Sequence, residues 1–226
     1  MLSQADLNAL WLTFKLATVS TLILLVLCLP VAYWLAKSRW RFKFVVEAFV
    51  AMPLVLPPTV LGFYLLVLLS PNGIVGGMLA TVGVDNLVFS FSGLVLGSCI
   101  YSLPFVIQPL QNGFSSIQSR PLEVAATLGA SPFQRFYSIT LPLLKPGLIS
   151  ASVLGFAHTM GEFGVVLMIG GNIPNETQVV SIAIYDHVES LQYAQAHWLA
   201  GTLLVISFVL LLAVYAANKR FRLGVQ

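Results

Sequence analysis

Five long runs of apolar residues, separated by shorter polar stretches, dominate the hydrophobic pattern of the chain. Each run has about 20 residues or more, enough for an α-helix rising about 1.5 Å per residue to cross a hydrocarbon core of about 30 Å. We therefore predict an all-α membrane protein with five spanning helices, and the odd number places the two termini on opposite sides. The predicted spans are residues 12–36, 44–69, 88–110, 143–169 and 198–217.

A polar interruption between the third and fourth runs, from Arg120 to Pro142, carries its own helix signals. Pro121 is suited to the first turn of a helix, and Gly129 can end that helix in the left-handed conformation. Ser131 and Gln134 then form a capping-box pattern that starts a second helix. The pattern predicts a helix–turn–helix unit whose small and aliphatic surface suits a groove on another protein. That surface comprises Leu122, Val124, Ala125, Ala126 and Leu128.

The second apolar run contains three prolines, Pro53, Pro57 and Pro58. Proline removes helical hydrogen bonds, and broken backbone at membrane depth is tolerated where it faces protein or a water-filled cavity. Two roles stay open for Pro57, Pro58 and Thr59: the lining of a pathway, or a plain structural kink.

The third run contains Gly93 and Gly97, a G-x-x-x-G spacing. Two glycines one helical turn apart leave a shallow strip that lets a second helix approach closely. We therefore predict a packing role for this pair.

Glu162 lies in the fourth apolar run, within the stretch HTMGEFG. A carboxylate near mid-membrane costs at least about 2.5 kcal/mol, which makes it a functional candidate. His158 precedes it by four residues, a spacing that permits a structural or gating hydrogen bond. A metal site is not expected, because no third ligand is evident and the H-E-x-x-H pattern is absent.

The composition agrees with a membrane protein, because 58% of the 226 residues are hydrophobic and 8% are charged. Soluble domains carry about 25% charged residues. All but one of the 11 Lys and Arg residues flank the spans on one side, and Lys15 is the exception. By the positive-inside rule, the polar segment and the C-terminus are cytoplasmic and the N-terminus is outside. The opposite loops, 70–87 and 170–197, contain no Lys or Arg, and the second offers a surface for an external partner.

No catalytic or nucleotide-binding motif accompanies these spans: there is no P-loop, no G-x-S-x-G and no Rossmann fingerprint. Any energy source would be a partner or an ion gradient. Two function classes stay open on these residues, namely a membrane-embedded enzyme that uses Glu162 and His158, and an autonomous channel or gradient-driven carrier.

The polar segment resembles the signature E-A-A-x3-G-x9-I-x-L-P of ABC importer permeases of the type I class. The spacing matches throughout, and the one departure is valine where the family usually has its first alanine. The positions that carry the resemblance, and to which it assigns coupling to an ATPase, are Glu123, Val124, Ala125, Gly129, Ile139, Leu141 and Pro142.

Three further stretches are similar to the molybdate permease family, which is related to sulfate permeases. They are residues 52–66, the G-E-F-G segment at 161–164, and N-I-P-N-E-T at 172–177. The resemblance implies one transmembrane domain over residues 1–226, with a five-helix permease core at about 9–217. It also implies a coupling segment at 119–142, a periplasmic N-terminus and a cytoplasmic C-terminus.

The same resemblance implies how the chain would work in the bacterial inner membrane. It would form a homodimer that joins two cytoplasmic ABC ATPase subunits, which bind ATP and Mg²⁺, and a periplasmic molybdate-binding protein. The chain itself would bind no cofactor or metal and would not be an enzyme, and residues 121–130 would lodge in each ATPase. A sulfate, thiosulfate or tungstate permease is the alternative within the class.

The resemblance also bears on the translocation pathway. A tetrahedral dianion needs hydrogen-bond donors, and spans with almost no Arg or Lys favour weak passage, with selectivity in the binding protein. Glu162 is expected to be paired or structural, since a carboxylate is unsuited to bind an anion. The candidate pathway residues are Pro57, Pro58, Thr59, Glu162 and Phe163.

Overall fold

The computed structural model describes residues 2–81, 83 and 87–223, with side chains described as far as residue 212. Within those residues the chain forms eleven α-helices, one π-helical turn (Phe136–Thr140) and no strand. The helices are α1 (Gln4–Lys37), α2 (Lys43–Val55), α3 (Pro58–Leu69), α4 (Ile74–Ala80), α5 (Phe91–Ser116), α6 (Arg120–Thr127), α7 (Pro132–Arg135), α8 (Leu141–Met160), α9 (Gly164–Gly170), α10 (Val180–Glu189) and α11 (Tyr193–Leu223).

Five helical stretches in the described part of the chain are long and apolar enough to cross a membrane. This confirms the predicted all-α class with five spans, although the bounds of all five differ from those predicted, most in the second and fourth spans. The five stretches are Gln4–Lys37, Pro58–Ala80, Phe91–Ser116, Pro132–Met160 and Tyr193–Leu212. Residues 82 and 84–86 of the predicted loop 70–87 lie outside the described residues, as do residues 224–226.

The second predicted span, 44–69, is not one helix but two. α2 ends at Val55, Leu56 is extended with φ −71° and ψ 135°, and α3 starts at Pro58. Pro57 and Pro58 have no N–H to donate, and proline disfavours helical geometry in the residue before it, which accounts for the break. The stretch long enough to span the membrane therefore begins at the break and continues through α4 to Ala80.

The fourth predicted span, 143–169, is also interrupted, and its helical part begins earlier, at Pro132. α8 ends at Met160, residues 161–163 leave the helix, and α9 is a separate helix of 7 residues. Glu162 thus lies in the connection between two helices. Its backbone carbonyl accepts a hydrogen bond from Ser181 of α10, which replaces a bond that a continuous helix would have made.

α5 forms the centre of the bundle, between α1 and α8. Its buried Leu110 and Phe114 join Leu24 of α1 and Leu144 of α8 in the largest cluster of buried apolar side chains. The predicted packing role of the G-x-x-x-G pair is confirmed, because a Cβ atom added at Gly93 or Gly97 would lie only 3.3 or 2.6 Å from side-chain carbons of Ile169 on α9. α5 therefore positions both halves of the interrupted fourth span.

The N-terminal part of α1 is joined to α10 by polar contacts. His187 Nε2 lies 2.8 Å from Asp6 Oδ1, and the backbone N–H of Val180 donates to Thr13 Oγ1 at 2.8 Å. The connection from 171 to 179 leads into α10, and the carboxylate of Asp186 accepts hydrogen bonds from side chains of that connection. α10 is thereby fixed as a short helix beside the N-terminal end of α1.

Candidate functional site

A cleft of about 500 Å³ opens where the two interrupted spans meet, between the α2–α3 break and the α8–α9 break. Four of the five candidate pathway residues line it, and Pro57 lies next to them but is not part of the lining. The lining includes Pro58, Thr59, Tyr101, His158, Glu162 and Phe163. The prolines and the G-E-F-G segment are far apart in the sequence, and the fold brings them to one place.

The side chain of Glu162 is 1% exposed and points into the bundle, so the residue meets the cleft mainly through its backbone. Its Oε2 accepts a hydrogen bond from Ser98 Oγ at 2.5 Å, and its Oε1 accepts one from Ser102 Oγ at 2.7 Å. Both serines belong to α5. The carboxylate that the sequence predicts to be paired is bonded to two hydroxyl groups, which offset part of the cost of burial.

His158 Nδ1 lies 3.5 Å from Glu162 Oε1, and Ser102 Oγ is closer, at 2.8 Å from the same nitrogen. The two residues are thus linked through Ser102, where the sequence suggested a direct bond. The imidazole stacks on Phe105, with ring centroids 3.8 Å apart and planes 23° apart, and its centroid is 4.7 Å from that of Tyr101. These contacts hold the ring at the wall of the cleft.

Sequence reasoning missed the hydroxyl groups that organise this site: Ser98, Ser102, Thr159 and Ser181. A signal for two of them was present, because Ser98 and Ser102 are four residues apart in an apolar run and so share one face of a helix. Ser181 belongs to α10, and nothing local in the sequence relates it to Glu162. Over the described ranges, no group of three or more His, Cys, Asp and Glu side chains could hold a metal ion.

The polar segment forms the predicted helix–turn–helix unit. α6 covers Arg120–Thr127, Gly129 has φ +83°, and the N–H of Ala130 donates to the carbonyl of Ala125 at 2.9 Å. Ser131 and Gln134 make both bonds of the capping box, at 2.9 and 3.2 Å. The local helix signals of this segment are therefore confirmed.

This unit presents unusually large apolar side chains at its surface. Val124 is 58% exposed, Leu128 81% and Phe133 71%. Glu123 and Pro142 are exposed, and Ala125, Ile139 and Leu141 are partly buried where the unit joins α8. Exposed apolar patches bounded by polar residues are typical of protein interaction surfaces.

Residues 11–223 match the family described as binding-protein-dependent transport system inner membrane component. The chain is 55% identical to the molybdenum transport system permease protein ModB of Azotobacter vinelandii, over 100% of this chain and 99% of that protein. It is 36% identical to the protein of the same name from Haemophilus influenzae, over 82% of this chain and 81% of that protein. A probable sulfate transport system permease protein cysT of Zygnema circumcarinatum is 31% identical, over 95% of this chain and 74% of that protein.

Solved structures share the fold. A bacterial alginate ABC transporter, in complex with an alginate pentasaccharide-bound periplasmic protein, contains a chain that superposes with a TM-score of 0.78 at 21% identity, over 97% of this chain and 80% of that one. A chain of the methionine ABC transporter MetNI, in an inward-facing conformation, superposes with a TM-score of 0.71 at 17% identity, over 95% of this chain and 94% of that one. At these identities the likeness concerns the fold alone.

Proposed function

Because this chain belongs to the family of binding-protein-dependent transport system inner membrane components, we propose that it is the membrane-spanning subunit of an ATP-driven molybdate importer. The observation that carries the substrate is the 55% identity, over essentially the whole of both chains, to a protein named for molybdenum transport. The chain is a multi-pass inner membrane protein. We propose that it works as a homodimer with two cytoplasmic ATPase subunits and a periplasmic molybdate-binding protein.

In this proposal, the segment 119–142 couples the ATPase subunits to the membrane helices. The exposed Val124 and Leu128 supply an apolar surface that a groove on each ATPase can bury, with Glu123 at its edge. The π-helical turn and α8 connect this surface directly to the wall of the cleft. Closure of the ATPase pair on ATP would move both coupling segments together and turn the cleft outward, and hydrolysis would return it inward.

The cleft beside Pro58, Thr59 and Phe163 is the proposed translocation pathway. Its wall is made from the ends of two interrupted helices, and such backbone is found at membrane depth where it lines a cavity. A pathway must release its ion quickly, so weak binding here agrees with selection of the oxyanion by the external binding protein. The outer connection 171–179, with α10, would receive that protein.

Transport by the assembled complex tests this function. The chain is reconstituted in vesicles with the ATPase and the binding protein, and uptake of radiolabelled molybdate is followed with ATP, without ATP and with vanadate. Uptake that needs ATP and stops with vanadate is the expected result. Uptake that continues without a functional ATPase would identify a channel or a gradient-driven carrier, and molybdate metabolism by the purified chain would identify an enzyme.

A sulfate or related permease is the second candidate, favoured by the 31% identity to the cysT protein. Competition separates the two, because an excess of sulfate or thiosulfate would suppress uptake in a sulfate permease and leave uptake in a molybdate permease unchanged. Tungstate resembles molybdate in size and charge, so its effect is measured as a separate series.

A further inference from the structure

Ser102 is the centre of the hydrogen-bonding network behind the cleft. Its Oγ lies 2.7 Å from Glu162 Oε1, 2.8 Å from His158 Nδ1 and 2.9 Å from Thr159 Oγ1. A hydroxyl group has one hydrogen to donate and two lone pairs that accept. An ionised carboxylate only accepts, so the one hydrogen of Ser102 goes to Glu162.

That assignment fixes the protonation of the neighbouring imidazole. With its hydrogen given to Glu162, Ser102 can only accept from its other two partners, so Thr159 O–H and His158 Nδ1–H are the donors. The carboxylate at 3.5 Å from Nδ1 favours a proton on that nitrogen as well. In the neutral ring, Nε2 therefore carries the lone pair, and an Nε2–H group exists only in the imidazolium form.

The nitrogen so defined is open to the cleft. His158 lines the cleft and its side chain is 18% exposed. No described residue forms a hydrogen bond with Nε2, and this atom is not among the buried polar atoms that lack a partner. The stacking on Phe105 and the bond at Nδ1 hold the ring, so Nε2 has a defined position with room for a ligand.

Among the described residues that line the cleft, His158 is the side chain that can carry a positive charge. In the part of the chain that the structure describes, the cleft is lined by no Lys or Arg. The titratable side chains on the α5 side are Tyr101 and Cys99, and Cys99 Sγ lies 3.7 Å from the carbonyl of Ser20 on α1. From the α8–α9 connection comes Glu162, whose oxygens are already engaged by serines, and α3 contributes Pro58 and Thr59. His158 is thus the basic group at the wall.

We propose that His158 is the anion-binding side chain of the cleft, donating Nε2–H as the imidazolium to an oxygen of a tetrahedral oxyanion. Ser102 and Glu162 are positioning residues that keep the proton on Nδ1. This inference rests on the proposed transport function. It adds that the oxyanion binds the cleft together with one proton. One proton from water binds Nε2 as the oxyanion enters and returns to water as the oxyanion leaves, with no covalent change in either partner.

Nitrogen NMR tests the proton directly, because the chain has only three histidines. The protein is labelled with ¹⁵N-histidine in nanodiscs and titrated with sodium molybdate, with sodium chloride at equal ionic strength as the control. The signal of His158, assigned by its loss in His158→Gln, should shift at Nε2 from the unprotonated to the protonated range. His158 signals that stay unchanged with both molybdate and sulfate, or an equal shift of His197, would overturn the proposal.

Sulfate in place of molybdate keeps this inference separate from the substrate assignment. A shift with sulfate and none with molybdate would support the anion site and refute the molybdate assignment. Ser102→Ala should allow the proton to redistribute between the two ring nitrogens before any anion is added. A role of Ser102 in packing alone would leave that distribution unchanged.

Uptake by the assembled complex, with saturating loaded binding protein, provides the second measurement. His158→Ala should reduce oxyanion uptake about tenfold or more, the effect of losing one hydrogen bond to a charged group. In His158→Ala, the binding protein should still stimulate the ATPase. Loss of that stimulation would show that His158 acts in coupling to the ATPase and not in binding the anion. His197→Gln, which alters an exposed histidine, is the matched control. Uptake by His158→Ala equal to that of the wild type would overturn the proposal.

Discussion

Gly164 lies so close to Pro58 that a Cβ atom on Gly164 would stand 2.9 Å from the Cβ of Pro58. The same atom would lie 3.2 Å from the backbone nitrogen of Thr59. These residues begin α9 and α3, so the ends of the two interrupted helices touch at the cleft. The second glycine of the G-E-F-G segment is therefore explained by packing against the proline pair.

Replacing Gly164 with alanine should separate the two helix ends. The added methyl group has no free space, and overpacking of this kind costs about 1–3 kcal/mol. We expect a lower thermal unfolding midpoint in detergent and reduced oxyanion uptake. Gly201→Ala is the control, because no heavy atom lies within 4 Å of the added carbon there. Equal midpoints and equal uptake for the two variants would contradict this account.

Gly129 should be required for its backbone conformation and not for space. Its φ is +83°, and a Cβ atom there would meet nothing within 4 Å. Alanine should cost about 1–2 kcal/mol in this left-handed conformation, whereas asparagine adopts it more readily. ATPase activity stimulated by the binding protein should fall in the order glycine, asparagine, alanine.

Gly77→Ala serves as the comparison for Gly129, since the nearest atom there is at 3.5 Å, an ordinary contact. It should retain the full stimulated activity. If Gly129→Asn and Gly129→Ala lose activity to the same extent, the backbone explanation is wrong and the surface of the turn must matter instead.

Glu162→Gln should destabilise the protein although it preserves the shape of the side chain. The amide has one acceptor oxygen, while Ser98 and Ser102 both donate to the carboxylate. One buried hydroxyl then faces an NH₂ group, at a cost of about 1–3 kcal/mol. The thermal midpoint should decrease, whereas Glu176→Gln, at an exposed position, should leave it unchanged. A midpoint equal to that of the wild type would show that the network contributes little to stability.

The sequence predicts an element well where its cause is local. The break after Leu56 follows from two adjacent prolines, and the turn at Gly129 follows from one glycine and a capping box between Ser131 and Gln134. The break after Met160 has only a weak local signal, Gly161, which ends α8 with a φ of −95° that other residues also adopt. There Glu162 bonds to Ser98 and Ser102 on α5 and to Ser181 on α10, so the interruption depends on tertiary contacts.

The candidate site shows the same division. Prolines and an acidic residue in apolar runs identified Pro58 and Glu162 as unusual, because each is costly in a membrane-spanning helix. That both belong to one cleft could not be inferred from spacing, since more than 100 residues separate them and the contact depends on Gly164. The role of Ser102 was hidden because a single serine is common in such helices.

The connection 171–179 provides a last prediction, since one carboxylate holds both of its ends. Asp186 accepts from Asn172 Nδ2 at 2.9 Å and from Gln178 Nε2 at 2.8 Å. Asn172 has φ +58° and Asn175 +65°, conformations that asparagine tolerates but that need supporting contacts.

Asp186→Ala should therefore loosen this connection and weaken docking of the periplasmic binding protein. Loss of a charge-assisted hydrogen bond is worth about 1.5 kcal/mol or more, so the affinity of the loaded binding protein for the complex in nanodiscs should fall about tenfold. Glu189→Ala removes an acidic residue of the same helix that bonds Tyr185, not the connection, and should retain the wild-type affinity. Equal losses in both variants would show that net charge governs docking, and no loss in either would place the docking surface elsewhere.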